Sequence, residues 1–214
     1  MTLTIEIISD FICPWCFVAE TRLNRAIALL RPAVNIQRVW YPFELNPDMP
    51  TMGMDRKTYR TNKFGSWEYS QLLDAQTIQA TQEDGIEFRY DLMTITPNTL
   101  KAHRLTWFAA QQDRGTAMAE RILKAYFTEG HNIAEVETLA MLATEVGMDG
   151  EAIRAFLLSD RGIHDVRNLE LQVIAQGIRG VPYIRIGEGV LSGSQSFGVF
   201  LNALQNAAKA LTTA

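Results

Sequence analysis

The chain has 214 residues, of which 47% are hydrophobic and 21% charged, and its formal net charge at pH 7 is -4. This composition is typical of a globular protein with a sizeable core, and the lack of a basic cluster argues against nucleic acid as a partner. We find no apolar stretch of roughly 18 residues and no signal-peptide pattern at the start. We therefore expect no membrane association and predict a cytoplasmic protein.

The first elements in chain order are a strand, a helix and a second strand. Residues 3–8 mostly alternate apolar with polar side chains and end on two isoleucines, which is a β-strand pattern. Residues 18–30 carry apolar side chains at helical spacing, and Arg31-Pro32 predicts the end of that helix. Residues 34–40 read as another strand. This succession predicts a right-handed unit with two parallel strands.

The middle of the chain, residues 55–175, is almost wholly helical in pattern. Asp55 and Ser66 are candidate N-caps of two helices, and Thr96-Pro97 is a candidate cap and first turn of another. Residues 86–95 lack a clear period and are predicted to be a loop or an irregular strand. We expect this block to contribute helices rather than strands to the sheet.

Strand patterns return near the C-terminus. Residues 182–186 and 190–191 are short strand patterns joined by the Gly-Glu-Gly turn at 187–189, which predicts a hairpin. Ser194 or Ser196 would then cap a final helix. The C-terminal part therefore supplies two further strands and a helix.

Without the helical block, the remaining elements form a four-stranded mixed sheet flanked by helices, which is the thioredoxin layout. We therefore predict an α/β protein with a thioredoxin fold and a large all-α insertion. The thioredoxin-like domain would comprise residues 1–50 and 160–214, and the α-helical insertion domain residues 51–159.

The only two cysteines, Cys13 and Cys16, lie in a Cys-Pro-Trp-Cys segment between the first strand and helix. Such a motif at such a junction is typical of a redox site, because unpaired N–H groups at the helix start lower the pKa of a thiolate placed there. We predict Cys13 as the exposed attacking thiol and Cys16 as the resolving thiol, with Pro14 and Trp15 contacting the substrate. Two buried structural cysteines are the alternative interpretation.

A metal site is not expected at this motif. A zinc site would need two further ligands beside the cysteines. The chain has three histidines, and none of them is in H-x3-H spacing. We therefore predict no metal.

The segment Gly180-Val181-Pro182 precedes the returning strand. A proline there cannot donate to the strand ladder, so it is either a trans proline at a strand start or part of a cis Val181–Pro182 bond. In a thioredoxin layout this turn faces the cysteines, which favours the cis bond. The main chain of Val181 would then pair with an extended substrate.

Four polar residues outside the motif are further candidates. His103 shares a helical face with apolar neighbours, so it is either a core histidine or, with Asn98, a residue over the thiol pair that tunes Cys13. Asp10 and Glu44 are either acids close to the redox site or exposed carboxylates at strand ends. The spacing alone leaves both alternatives open.

Six segments resemble the DsbA family and, within it, the FrnE-like branch. They are SDFICPWC (9–16), PFELNP (42–47), PNTLKAHRL (97–105), AYFTEG (125–130), AQGIRGVPY (175–183) and SGSQS (192–196). The resemblance implies a thioredoxin fold with a helical insertion and thiol–disulfide oxidoreductase activity through Cys13 and Cys16. It also implies that Pro182 is the cis-proline and that Asn98 and His103 lie near the site.

Three functions follow as hypotheses. The first is a thiol–disulfide oxidoreductase that exchanges disulfides with protein or small-thiol substrates and needs no cofactor. The second is a glutathione-dependent isomerase or transferase of the hydroxychromene-carboxylate isomerase type, with glutathione as co-substrate; such relatives usually carry Ser at the first cysteine position, so Cys13 favours redox chemistry. The third is a polypeptide-binding chaperone module that would use the methionine cluster Met49, Met52 and Met54, unless that loop is folded in.

Overall fold

The computed structural model describes residues 2–30 and 34–213. In chain order its elements are β1 (Thr2–Ser9), α1 (Pro14–Leu30), β2 (Asn35–Pro42), β3 (Met54–Asp55), α2 (Arg56–Phe64), α3 (Trp67–Ala80), a 3-10 turn (Gln82–Asp84), β4 (Ile95–Thr96), α4 (Leu100–Ala110), α5 (Gly115–Phe127), α6 (Val136–Glu145), α7 (Gly150–Leu158), α8 (Ile163–Ala175), β5 (Tyr183–Ile186), β6 (Gly189–Ser192) and α9 (Phe197–Thr213).

The main sheet has four strands in the order β2-β1-β5-β6. β1 pairs with β2 in parallel, from Thr2 opposite Asn35 to Ser9 opposite Pro42. β5 runs antiparallel to β1 and to β6. The predicted parallel unit, the C-terminal hairpin and the mixed sheet are confirmed, and the chain has the thioredoxin fold.

The alternating pattern of β1 places helices on both faces of this sheet. Leu3, Ile5 and Ile7 are buried on one face, in a cluster with side chains of α1 and α9. Ile8 points to the other face and packs against Val173 of α8. Because successive side chains of a strand point to opposite faces, one short apolar strand holds both helical layers in place.

Helices α2–α7 lie between β2 and α8 in the chain and account for the predicted helical insertion. Their core is continuous with the start of α1, since Phe11 and Val18 belong to the same buried cluster as Leu105 and Phe127. The exact division into two domains stays a prediction. Within residues 2–30 and 34–213, none of the helices is long and apolar enough to cross a bilayer.

Helix starts follow the predicted caps in three of four cases. The side chains of Asp55, Ser66 and Ser196 accept hydrogen bonds from backbone N–H groups in the first turns of α2, α3 and α9. The prediction for Thr96-Pro97 was wrong. Thr96 pairs with Met54 in a small second sheet, and α4 begins only at Leu100, because a residue before proline is disfavoured in helical conformation. The predicted helix end at Arg31-Pro32 lies outside the described residues.

Candidate active site

The Cys-Pro-Trp-Cys segment forms the junction between β1 and α1. The strand ends at Ser9, and the N–H of Cys13 donates to the Asp10 carbonyl at 3.2 Å, which closes a tight turn. The Cys13 carbonyl then accepts from the N–H of Cys16 at 3.0 Å. Pro14 starts the helix, where its missing N–H costs no hydrogen bond. The turn therefore places Cys13 at the helix N-terminus and Cys16 one turn further in.

The pKa values of the two cysteine thiols are shifted in opposite directions. Both cysteines are free. A hydrogen bond from the Cys16 side chain lowers the pKa of Cys13 below its ordinary value, and backbone N–H groups of Cys16 and Trp15 lower it further. Burial and the negative charge of Asp10 raise this pKa, but they do not outweigh the hydrogen bonds. Burial raises the pKa of Cys16 well above its ordinary value. Cys13 is therefore the better nucleophile of the pair.

Cys13 is less exposed than we predicted from its position. Only 6% of the residue is accessible and only 3% of Cys16, so the expectation of an exposed attacking thiol was wrong. The turn at residues 10–12 and the insertion surround Cys13, while Trp15 beside it is 39% exposed. A substrate therefore has to enter a recess to reach the thiol.

The turn before β5 forms one side of this recess. The Cys13 thiol lies 3.7 Å from the main-chain carbonyl of Val181, to which it donates, and the Val181–Pro182 peptide bond is cis. Pro182 is buried, and its carbonyl accepts from the N–H of Gly193 at 2.8 Å. Residues 168 positions apart in the chain therefore meet at the reactive sulfur.

The insertion forms the other side, around a cavity of about 380 Å³. Cys13, Pro14 and Trp15 line one end of the cavity. Its other walls come mainly from the insertion and carry aromatic and charged side chains, among them Tyr59, Phe64, Tyr90, Arg56, Arg60, Lys63 and Asp74. A cavity of this size suits a small molecule.

Our sequence analysis missed this insertion wall. Arg56, Arg60 and Lys63 stand at i, i+4 and i+7 of α2, which places them on one helical face. That spacing is the sequence signal that could have identified a cationic surface. Nothing local in the sequence, however, shows that this face turns toward Cys13.

Asp10 and His103 form a buried pair directly behind Cys13. The Asp10 side chain is fully buried, and its Oδ1 lies 3.3 Å from Nε2 of His103. Its Oδ2 accepts from the N–H of Leu45 at 2.8 Å, and the ring of Phe11 packs 4.8 Å from that of His103. Asp10 is thus an acid next to the redox site and not an exposed strand-end carboxylate.

Asn98 and His103, which are predicted to lie near the thiol pair, both make contacts within the protein. Neither belongs to the lining of the 380 Å³ cavity among the described residues. The Asn98 amide donates to the Met49 carbonyl at 2.8 Å, and its Oδ1 accepts from the N–H of Leu100. A part of Asn98 and His103 in substrate binding stays a prediction.

The methionine loop is largely folded in. Met49 is buried, and only Met52 of the three predicted methionines is exposed, at 60%. Met54 pairs in the small sheet. None of the three belongs to the described lining of the cavity, so the loop does not form a continuous apolar surface beside Cys13.

A second acidic cluster lies behind the loop after β2. Glu44 is buried, with Arg167 at 2.6 Å from its Oε1, and its N–H donates to Glu170 Oε1 at 2.6 Å. Burial raises the pKa of Glu44 to about 7, while His103 and Arg167 act against this increase. Among the described residues, no three His, Cys, Asp or Glu side chains are grouped in a way that could hold a metal ion.

Comparison with known proteins identifies the family. A family model described as a DsbA-like thioredoxin domain matches residues 4–205. The chain belongs to this DsbA-like family.

Three relatives place the family membership in context. YwbO of Bacillus subtilis (strain 168) is 30% identical over 212 residues, covering 98% of this chain and 99% of that protein. A crystal structure of a probable DsbA oxidoreductase from Streptomyces coelicolor is 28% identical, with a TM-score of 0.85 over 96% of this chain and 89% of that one. The cytosolic disulfide reductase DsbM from Pseudomonas aeruginosa is 21% identical, with a TM-score of 0.65 over 99% and 98% of the two chains; this last similarity shows the fold alone.

Proposed function

We propose that this DsbA-like chain is a thiol–disulfide oxidoreductase that uses Cys13 as nucleophile and Cys16 as resolving thiol. The observation that carries the proposal is the Cys13 thiol at the start of α1, with a lowered pKa and a cavity before it. A thiolate is the species that attacks disulfides, so a lowered pKa raises the reactive fraction at neutral pH.

The reaction proceeds in two exchanges. The Cys13 thiolate attacks one sulfur of a substrate disulfide and forms a mixed disulfide, while the other substrate sulfur leaves as a thiolate and takes up a proton. Cys16 then loses its proton and attacks the Cys13 sulfur, which forms the Cys13–Cys16 disulfide and releases the second substrate thiol. The substrate gains two electrons and the dithiol loses two.

The same two steps run backwards when the enzyme disulfide meets a substrate dithiol. The direction depends on the reduction potential of the Cys13–Cys16 couple. A value near about -270 mV would indicate a reductase, and one near about -120 mV an oxidase. We propose that small thiols such as glutathione recycle the couple, in line with the solved complex of DsbM with GSH, and that the protein works in the cytoplasm.

Turnover of a disulfide by three forms of the protein tests the proposal. We expect wild type to catalyse reduction of a small disulfide or insulin, and Cys13→Ser to lose this activity entirely. Cys16→Ser should accumulate a mixed disulfide on Cys13, visible by mass spectrometry, because the second exchange is blocked. Full activity of Cys13→Ser would refute the proposal.

The same variants separate the two other hypotheses. A glutathione-dependent isomerase would act without net redox change and keep its activity in Cys16→Ser. A chaperone module would suppress aggregation without either cysteine. Because only Met52 of its methionine cluster is exposed, and because Cys13 rather than serine precedes Pro14, we place the oxidoreductase first.

A further inference from the structure

The charges around the cavity are unbalanced. Arg56 and Arg60 share one carboxylate, since their Nη2 atoms lie 2.7 Å and 2.8 Å from Oδ2 and Oδ1 of Asp74, respectively. Lys63, on the same wall, donates to the Tyr59 hydroxyl at 2.7 Å and has no acidic partner within 4.0 Å among the described residues. Three cations and one anion leave two positive charges in excess on this wall.

Arg56 and Arg60 are held in place by the protein, whereas Lys63 is exposed. Arg56 is 3% exposed, and its guanidinium lies over the rings of Trp67 and Tyr90. Arg60 donates to the side chain and the carbonyl of Ser70. Because these two arginines are already ordered, they lose little conformational entropy when an anion binds.

The same cavity offers apolar contact beside the charge. Tyr59, Phe64 and Tyr126 line it together with Trp15. Aromatic rings bind the carbon skeleton of a ligand, while the cations bind its charged end. Its volume of about 380 Å³ fits a small molecule and not a folded protein.

We propose that the insertion wall selects small-molecule disulfides that carry a carboxylate, bound by Lys63 with Arg60 while Cys13 attacks their sulfur. This inference rests on the proposed function and specifies its substrate class. The carboxylate takes no part in the chemistry. The bonds made and broken are those of the two exchanges above.

Three disulfides of similar size and different charge test the inference. They are dithiodipropionate, which carries two carboxylates, hydroxyethyl disulfide, which is neutral, and cystamine, which carries two ammonium groups. The second-order rate constant of the reduced protein with each probe is measured by stopped flow. Each value is divided by the rate constant of mercaptoethanol with the same probe, which removes the intrinsic reactivity of the disulfide.

We expect the normalised rate of wild type to be about 10-fold or more higher for dithiodipropionate than for cystamine, with hydroxyethyl disulfide between them, because two excess charges at close range act in opposite directions on the two probes. Lys63→Gln should lower the dithiodipropionate rate roughly 5-fold and leave hydroxyethyl disulfide unchanged. Added salt should reduce the wild-type preference.

Lys57→Gln provides the matched control. It removes the same charge from the same helix, and Lys57 is exposed like Lys63, but Lys57 lies outside the described lining of this cavity. We expect its rates to equal those of wild type with all three probes. Lys63→Arg should keep the preference for dithiodipropionate, which separates charge from side-chain shape.

The outcomes distinguish the inference from the proposed function. Equal normalised rates for all three probes, or equal effects of Lys63→Gln and Lys57→Gln, would overturn the inference while disulfide exchange itself stands. Much faster reaction with a polypeptide disulfide than with any small probe would also overturn it. Rates no higher than those of mercaptoethanol with every disulfide would instead refute the proposed function.

Discussion

Cys13 lies between two walls of different composition. On the sheet side its neighbours are main-chain groups of Val181, Cys16 and Trp15 together with the buried Asp10. On the insertion side lies the cavity, whose aromatic and charged side chains come mostly from α2. The first wall acts on the reactivity of the sulfur, and the second offers contacts to what reaches it.

The sheet side and the insertion therefore have different roles at the site. Main-chain groups at a strand–helix junction are fixed by the sheet and change little with sequence. Side chains on the insertion line most of the cavity. We therefore expect changes in the insertion to alter stability and substrate choice without altering the pKa of Cys13. Changes behind Cys13 should alter that pKa without altering substrate choice.

The largest expected effect is on stability and comes from Arg56→Met. Arg56 and Asp74 are both buried and lie 2.7 Å apart, so removing the cation leaves a buried carboxylate with less compensation. We expect the free energy of unfolding to fall by about 3 to 5 kcal/mol, as measured by denaturant unfolding.

The control for this change is Arg89→Met, whose ion pair with Asp91 is exposed and whose loss should leave stability unchanged. The pKa of Cys13, followed by thiolate absorbance, should be the same in both variants. A shifted Cys13 pKa in Arg56→Met alone would contradict the expectation that the insertion wall does not affect the thiol.

The second effect is a decrease in stability with rising pH. The pKa of Glu44 is raised in the folded protein from 4.5 to about 7, so the folded state keeps a proton that the unfolded chain releases. Stability should therefore fall between about pH 4.5 and pH 7 and level off above, by on the order of 3 kcal/mol for this group.

Glu44→Gln should flatten this part of the profile in denaturant unfolding at several pH values. Some decrease in stability should remain, because burial raises the pKa of Glu20 to about 8. Glu20 therefore also lowers stability as the pH rises. A profile as steep in Glu44→Gln as in wild type would mean that this carboxyl does not hold the proton.

Asp10→Asn tests the sheet side directly. The negative charge of Asp10 raises the pKa of Cys13, so its removal should lower that pKa further and increase the thiolate fraction at neutral pH. The asparagine oxygen still accepts from the N–H of Leu45, which preserves the loop. Thiolate absorbance against pH measures the effect.

The control is Glu188→Gln, which removes an exposed carboxylate from the hairpin turn and should leave the titration unchanged. The preference of Asp10→Asn between charged disulfide probes should match that of wild type. A higher pKa of Cys13 in Asp10→Asn would contradict the assigned role.

The smallest effect is expected from Ser66→Ala. The Ser66 hydroxyl oxygen accepts from the N–H of Tyr69 at 3.0 Å and caps α3, the helix that carries Asp74. Its loss should cost about 1 kcal/mol of stability in denaturant unfolding, and Ser66→Asp should restore most of it. An unchanged Cys13 titration in both variants would support the expectation that changes in the insertion affect stability and not the thiol.

Elements with a strong local pattern could be predicted from the sequence. The alternation in β1, the apolar spacing of α1 and the turn signal of the C-terminal hairpin each depend on neighbours within a few residues. The start of α4 was misplaced because Thr96 takes part in a two-residue sheet with Met54, 42 positions earlier. Such a pairing leaves no period in the sequence.

The candidate site shows the same limit. Sequence reasoning identified the cysteines and the Val181-Pro182 turn, because their chemistry is distinctive at fixed spacing. It left the roles of His103 and Asp10 undecided, because it could not show that their side chains meet each other across 93 positions. It also missed Lys63, since the spacing of this lysine with Arg56 and Arg60 indicates a cationic helix face but not that this face turns toward Cys13.

The sequence by itself determined the dithiol at a strand–helix junction, the order of the strands and helices, and the family resemblance. Only the tertiary structure decided that Cys13 is recessed, that Asp10 lies behind it and that the cations of α2 stand before it. The physical reason is that hydrogen-bonding and periodicity are local properties of the chain, whereas burial and charge at a site depend on which distant side chains the packing of the insertion brings together.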